Sequence, residues 1–293
     1  MIAPFGATIE NLGTIQGGEG GDAANADMAG AGGVGITGSG LNVINSGTVA
    51  GGMSGRRAGA PPGGHNPDRR RQSAILFTGG NNRLELRPGS RILGAVEASA
   101  GDVLALGGDG AGAFYLGHVG EQYRGFSSLE KTGAGVWEIS GSADFAGSSE
   151  SGAGVFVKAG ELRLADAGLG ARVRVQSGGI LAGQGRIGAA IIDQGATLAP
   201  ALAGGITVQG DLRFQPGAVY RVELDPVSSA SSKVTVNGHA YLDGSVVYVG
   251  DLSRLQAQQR YTILSAEQLH GSFASHGPDF AFLDVRWRRT RPR

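Results

Sequence analysis

The sequence predicts an all-β chain wound as a parallel β-helix, a solenoid of short strands, with a more sandwich-like cap at its C-terminal end. Three observations lead there. Glycine supplies 55 of the 293 residues while aromatic residues make up only 6%. Interior glycine costs a helix roughly 0.8–1 kcal/mol relative to alanine, which argues against a helix-rich globule. The apolar share of 41% is too large for a disordered chain, and the glycines lack the strict three-residue period of collagen. Finally, short segments alternating apolar with polar residues recur between Gly or Ser-Gly turns, the two-residue signature of strands with one buried face.

Ala7-Thr8-Ile9-Glu10-Asn11-Leu12-Gly13-Thr14-Ile15 is echoed by Leu41-Asn42-Val43-Ile44-Asn45-Ser46-Gly47-Thr48-Val49. Each copy reads as strand, Asn-containing Gly turn, strand. Asn11 and Asn45 lie 34 residues apart, a spacing read as about one and a half coils. Arg83–Leu86, Arg91–Val96 and Asp102–Leu106 continue the theme. Val136–Ile139, Val155–Val157, Glu161–Leu164, Arg172–Val175 and Gly179–Ala182 repeat it more regularly. Strands this short bury a continuous core only if successive coils stack. Coils of ~22 residues stacked ~4.8 Å apart would give roughly 12 of them in a rod about 60 Å long.

Two stretches depart from the pattern. Residues 17–33 are Gly/Ala-rich and read as an excursion, and residues 50–72, with Pro61-Pro62-Gly63-Gly64 and Asp68-Arg69-Arg70-Arg71, read as a long loop. Beyond Val219 the strands lengthen, and Leu252 to Gln259 reads as one helical turn. The expected divisions are 1–128, irregular coils with those two loops; 129–205, regular repeats; 206–275, a C-terminal folding core; and 276–293, a linker and Arg-rich tail.

The formal net charge is zero, so no global field draws the chain to nucleic acid or anionic lipid, and neither is expected as a partner. Cysteine is absent, which removes disulfides and thiolate metal sites. No apolar run of 18 residues exists, so direct membrane insertion is not expected. The opening Met1-Ile2-Ala3-Pro4-Phe5-Gly6 has no signal-peptide pattern.

From Leu129 onward a family resemblance becomes specific. Leu129-Glu130-Lys131-Thr132-Gly133-Ala134-Gly135-Val136-Trp137-Glu138-Ile139-Ser140-Gly141 resembles the L-x-K-x-G-x-G-x-L-x-L-x-G element of bacterial autotransporter passenger domains of the pertactin-like type. Ala159–Leu164, Gly178–Gly188, Gly195–Pro200, Gly210–Leu212, Val234–Gly238, Tyr261–Leu264 and Gly271–Ala274 follow in that family's order. The resemblance implies a right-handed parallel β-helix carried to the cell surface through a translocator β-barrel belonging to the parent protein. It also implies a stable C-terminal core over roughly Ile206–Ala274. Ala201-Leu202-Ala203-Gly204 departs from the family's usual Gly-Asn-Ser turn, and no barrel follows. Phe280–Asp284 resembles the start of the family's linker, then gives way to Val285–Arg293, the kind of Arg-rich tail left by a shifted reading frame, an engineered end or a genuine terminus. The chain is thus expected to be less than a whole exported precursor, its parent displayed at the outer membrane or secreted.

No residue is assigned as catalytic, cofactor-binding or metal-binding. Gly17-Gly18-Glu19-Gly20-Gly21-Asp22 matches one copy of a calcium β-roll unit, but calcium sits between successive copies and a second is missing, so a loop is the simpler reading. Gly107–Gly112 lacks the Gly-Lys-Ser/Thr of a phosphate loop. Neither Gly-x-Ser-x-Gly nor Gly-Asp-Ser-Gly occurs. His65, His118, His239, His270 and His276 are dispersed. Asp144, Glu161, Arg163, Arg172 and Arg174 form either a solvated face or the charged stripe that a carbohydrate-active β-helix would need. Arg69-Arg70-Arg71 and the terminal arginines read as solvated charge, with polyanion binding as the alternative. The expectation is a non-enzymatic passenger fragment, structural and adhesive, whose loops meet a host or cell-surface ligand. A β-helix enzyme and a non-functional remnant of a larger gene are the alternatives.

Overall fold

The short alternating segments pair side by side, in parallel with the equivalent segment of the next coil. The computed structural model describes residues 1–23, 29–58, 69–147, 154–228, 230–251 and 260–276. It is a parallel β-helix in two compact units, Met1–Gly107 with Gly117–Leu129, and Gly108–Leu116 with Glu130–Arg293. The helical turn expected at 252–259 and the tail from 277 onward lie outside the described residues.

In the first unit each coil has three faces. Thr8–Asn11, Asn42–Asn45, Arg83–Leu86 and Val103–Leu106 stack in parallel on one, so that Ile9, Val43, Leu84 and Leu104 share a column. Thr14–Gln16, Thr48–Ala50 and Arg91–Leu93 make the second. Ile36–Gly38, Ile75–Phe77, Val96–Glu97 and Tyr123–Arg124 make the third, aligning Ile36, Ile75, Val96 and Tyr123. From the second coil on, the inward members of these columns are buried, which is what the two-residue alternation demanded.

Polar ladders occupy the corners. Asn11 and Asn45 pair directly, so their 34-residue separation is a single coil, lengthened by the glycine-rich excursion, and not one and a half. The Asn11 amide donates to Asn45 Oδ1 at 2.7 Å, and Asn45 in turn donates to Ser90 Oγ at 2.6 Å. At another corner Leu41 N–H donates to Asn82 Oδ1 (2.9 Å), while the Asn82 and Ser99 amides donate to the buried Asp102 carboxylate (2.8 Å each). Asn11, Asn45, Asn82 and Asp102 each have a partner one coil away, so the ladders register the coils as well as stabilise them.

On the outside of the same unit, the nearly buried Glu85 accepts from Arg87 Nε and Arg83 Nη2 at 2.8 Å each, and Arg87 also reaches Glu10 at 3.0 Å. Burial works to raise the Glu85 carboxyl, but hydrogen bonds and charge from the two arginines outweigh it and hold it below the ordinary 4.5. A depressed folded-state pKa means the unfolded chain binds the proton first. The stabilisation is therefore complete above about pH 4.5 and is lost as pH falls through the lower folded value. Thermal melts from pH 7 to pH 3 are expected to show this decline in the native chain and a flatter profile in Glu85→Gln.

In the second unit the column Gly112, Trp137, Leu162, Leu181, Leu198, Tyr220 and Val246 runs through seven successive parallel partners. Val155, Val173, Ala190, Leu212, Ala240 and Leu269 form a second. Leu169, Ile187, Val208, Val236 and Ala266 form a third. The longer strands Val219–Asp225, Val234–Leu242, Ser245–Val249 and Leu264–Gly271 remain in the ladder, with one added antiparallel pairing of Leu224–Asp225 against Ala230–Ser231.

The lysine of the L-x-K-x-G element has a structural explanation. Lys131 is fully buried, and its ammonium donates to the carbonyls of Thr132 (2.7 Å), Gly133 (2.9 Å) and Ala159 (3.0 Å). It thus ties the turn of one coil to the turn of the next. Gly160, at φ +64°, must be glycine here, because a Cβ would lie 2.5 Å from the Gly133 carbonyl and 2.7 Å from the lysine nitrogen.

Candidate functional site

The glycine-rich excursions of the first unit fold together as one lobe. Its donors recur every third residue. Gly17, Gly20 and Ala23 donate to Ala50, Met53 and Arg56 (2.9 Å each). Gly30 and Gly33 donate to Gly21 (2.8 Å) and Gly18 (2.7 Å), and Gly52 and Gly55 donate back to Gly33 (2.8 Å) and Gly30 (2.9 Å). Three extended segments therefore close a cycle of main-chain bonds, the first and third parallel and the middle one reversed. A three-residue period without internal hydrogen bonds is that of a polyproline II-type helix.

Glycine is required by crowding, as on the axis of collagen. A Cβ on Gly17, Gly20, Gly52 or Gly55 would fall 1.9–2.0 Å from a carbonyl oxygen of the neighbouring segment. The notional calcium residues serve this lobe instead. Glu19 accepts the Met53 amide and pairs with Arg69, and Asp22 accepts the Arg56 amide at 2.7 Å. The Met53 amide, with Arg69 in support, lowers the Glu19 pKa. A fourth segment lies alongside: Ser54 N–H donates to Arg70 O (2.8 Å), and Arg71 Nη1 donates to Gly51 O (2.6 Å). Arg57, Arg70 and Arg71 are exposed. Residues 24–28 and 59–68, with His65 and the prolines, lie outside the described residues.

The charged stripe does not converge on one point. Glu161 pairs with Arg163 (2.7 Å) and Arg174 with Asp193 (2.8 Å) on different strands. Asp144 lines a shallow groove of about 380 Å³ with Ser142, Arg186 and Gln209. Gly108–Gly110 runs into the strand Gly112–Tyr115, with Asp109 accepting the Ala134 amide at 3.0 Å, so no helix N-terminus faces a phosphate there.

The dispersed histidines are partly brought together. His118 ends the short turn Leu116–His118, and His276 ends the strand Ser275–His276. His239 and His270 lie on paired strands with ring centres 5.3 Å apart. Sequence spacing hides this pair because its proximity depends on the register of Val234–Leu242 against Leu264–Gly271.

No protein-family model matches the chain. Over an alignment of 173 residues that covers 55% of the chain, it is 30% identical to an extracellular serine protease of Serratia marcescens. The chain spans about 16% of the length of that relative. The match corrects the expectation of a protein without enzymatic activity: that expectation rested on missing serine-hydrolase motifs, and a similar stretch occurs in a secreted hydrolase. The chain is a parallel β-helix with partial similarity to an extracellular protein.

Proposed function

We propose that this chain is a passenger segment of an autotransporter-type exported protein, a β-helical stem standing outside the cell. In this reading the glycine-closed lobe makes an adhesive contact with an anionic polysaccharide of a cell surface. The observation that carries it is the lobe itself, a side structure braced by main-chain bonds that sets Arg57, Arg70 and Arg71 on its outside. Sulfate and phosphate groups are the natural partners of exposed guanidinium ions. Immobilised heparin is the probe. Retention at low salt that is lost in Arg70→Glu/Arg71→Glu is expected, and equal elution of both proteins overturns the reading. Gly52→Val should also elute early, because its Cβ would lie 2.0 Å from Gly18 O and open the lobe. Hydrogen exchange should then show protection lost at Gly17, Gly30 and Gly33 and kept in the ladder strands.

The similarity to an extracellular serine protease favours a second reading, in which the parent protein hydrolyses peptide bonds while this stem holds it clear of the surface. Labelling of the purified chain by a fluorophosphonate probe, with cleavage of casein, would place that chemistry in the chain itself. Labelling only of a longer parent would place it outside.

A further inference from the structure

We infer that His239 and His270 form a two-imidazole site for a borderline divalent metal, Cu²⁺ or Zn²⁺, on the outer face of the second unit. Metal–nitrogen bonds of about 2.0–2.1 Å at a near-tetrahedral angle put the centres of two ligating imidazoles about 5 Å apart. The His239 and His270 ring centres are 5.3 Å apart, with planes inclined at 43°. Both side chains reach solvent, His270 more than His239.

The surroundings hold the rings in place. His270 stacks on Tyr241 at 4.8 Å and 15°, and the Arg213 guanidinium lies 4.1 Å from the Tyr241 ring centre. The parallel register dictates this column, since Arg213 pairs with Tyr241 and Tyr241 with His270. His239 is set by an irregularity in the same ladder. The register between Val234–Leu242 and Leu264–Gly271 shifts between Val236 and His239, and Asp211 accepts the His239 amide at 2.9 Å. A bulge of this kind re-aims the side chain that follows it. No group of three or more His, Cys, Asp or Glu residues converges among the described residues. The ion is therefore held by two protein nitrogens and completes its shell with water or an outside ligand. Imidazole suits both metals, and Cu²⁺ binds more tightly in the general order of affinities.

The test is titration of the full chain with CuCl₂ and, separately, ZnCl₂, alongside His239→Gln and His270→Gln. The expected result is one equivalent bound, with affinity reduced at least tenfold in either variant. The Cu²⁺ electron paramagnetic resonance spectrum should show coupling to two nitrogens in the native chain and fewer in each variant. Unchanged far-ultraviolet dichroism would show that the variants fold. Absent binding, or binding undiminished in either variant, overturns the site.

Discussion

Replacing Lys131 with Met is expected to lower the stability of the second unit by about 3–5 kcal/mol, because three carbonyl acceptors lose their shared donor at once. Methionine keeps most of the side-chain volume, so the loss is electrostatic and not a cavity. The carbonyls of Thr132, Gly133 and Ala159 would each lose the donor that Lys131 now supplies. An unsatisfied buried acceptor costs about 1–3 kcal/mol. Urea unfolding reads the effect as a lower midpoint with an unchanged slope. Lys158→Met is the control, because Lys158 is exposed and pairs with Glu130, an arrangement worth about 0–1 kcal/mol. Similar midpoints for the two variants would show that Lys131 contributes no more than a surface lysine.

Tyr220→Ala should be comparably damaging, at about 3–5 kcal/mol, the cost of truncating a fully buried aromatic. Tyr220 is wholly enclosed, with Phe214 and Phe273 ring centres at 5.6 and 5.9 Å, and Phe214 and Phe273 meet each other at 5.2 Å. Its hydroxyl donates to Ile263 O at 2.5 Å, a carbonyl that also accepts the Val234 amide at 3.0 Å. Because that acceptor keeps a second donor, Tyr220→Phe is expected to cost only about 1 kcal/mol. Comparable losses in the two variants would mean that the hydroxyl, not the ring, holds this region. Burial pushes the Tyr220 hydroxyl far above its ordinary range and the Tyr123 hydroxyl up to about 12. A raised folded-state pKa carries stability that is complete below the unfolded value and is lost as pH rises through it. Alkaline unfolding should therefore set in above about pH 10, and Tyr123→Phe should shift its onset upward.

What was legible beforehand follows from the range of the interactions involved. Two-residue alternation at Val136–Ile139 or Val173–Val175 is a local consequence of strand geometry, so the coils could be read from short windows. The Asn11 and Asn45 echo was visible as a repeat, but its period was misread because residues inserted between coils lengthen the separation without adding a coil. The lobe was harder still. Its glycine period is three residues, but it is divided among 17–23, 29–33 and 50–56 and emerges only when the segments lie together. The proximity of His239 and His270 depends on an irregular register that composition does not encode. The Lys131 element is visible in the sequence as a family-like motif, while its reason, an ammonium held by turn carbonyls, depends on the stacked coils.

The lobe has a consequence for how such a surface can change over generations. Its three segments are closed by the main chain, and their crowded positions tolerate only glycine. Apart from Glu19, Asp22 and Ser54, whose side chains accept amides of neighbouring segments, the side chains between those glycines take no part in the main-chain closure, so they can be exchanged at little cost to the fold. Point mutation alone could therefore recolour this surface, from basic to acidic or from polar to greasy, while the stem beneath keeps its register. A lineage carrying it could change what it touches without learning to fold again.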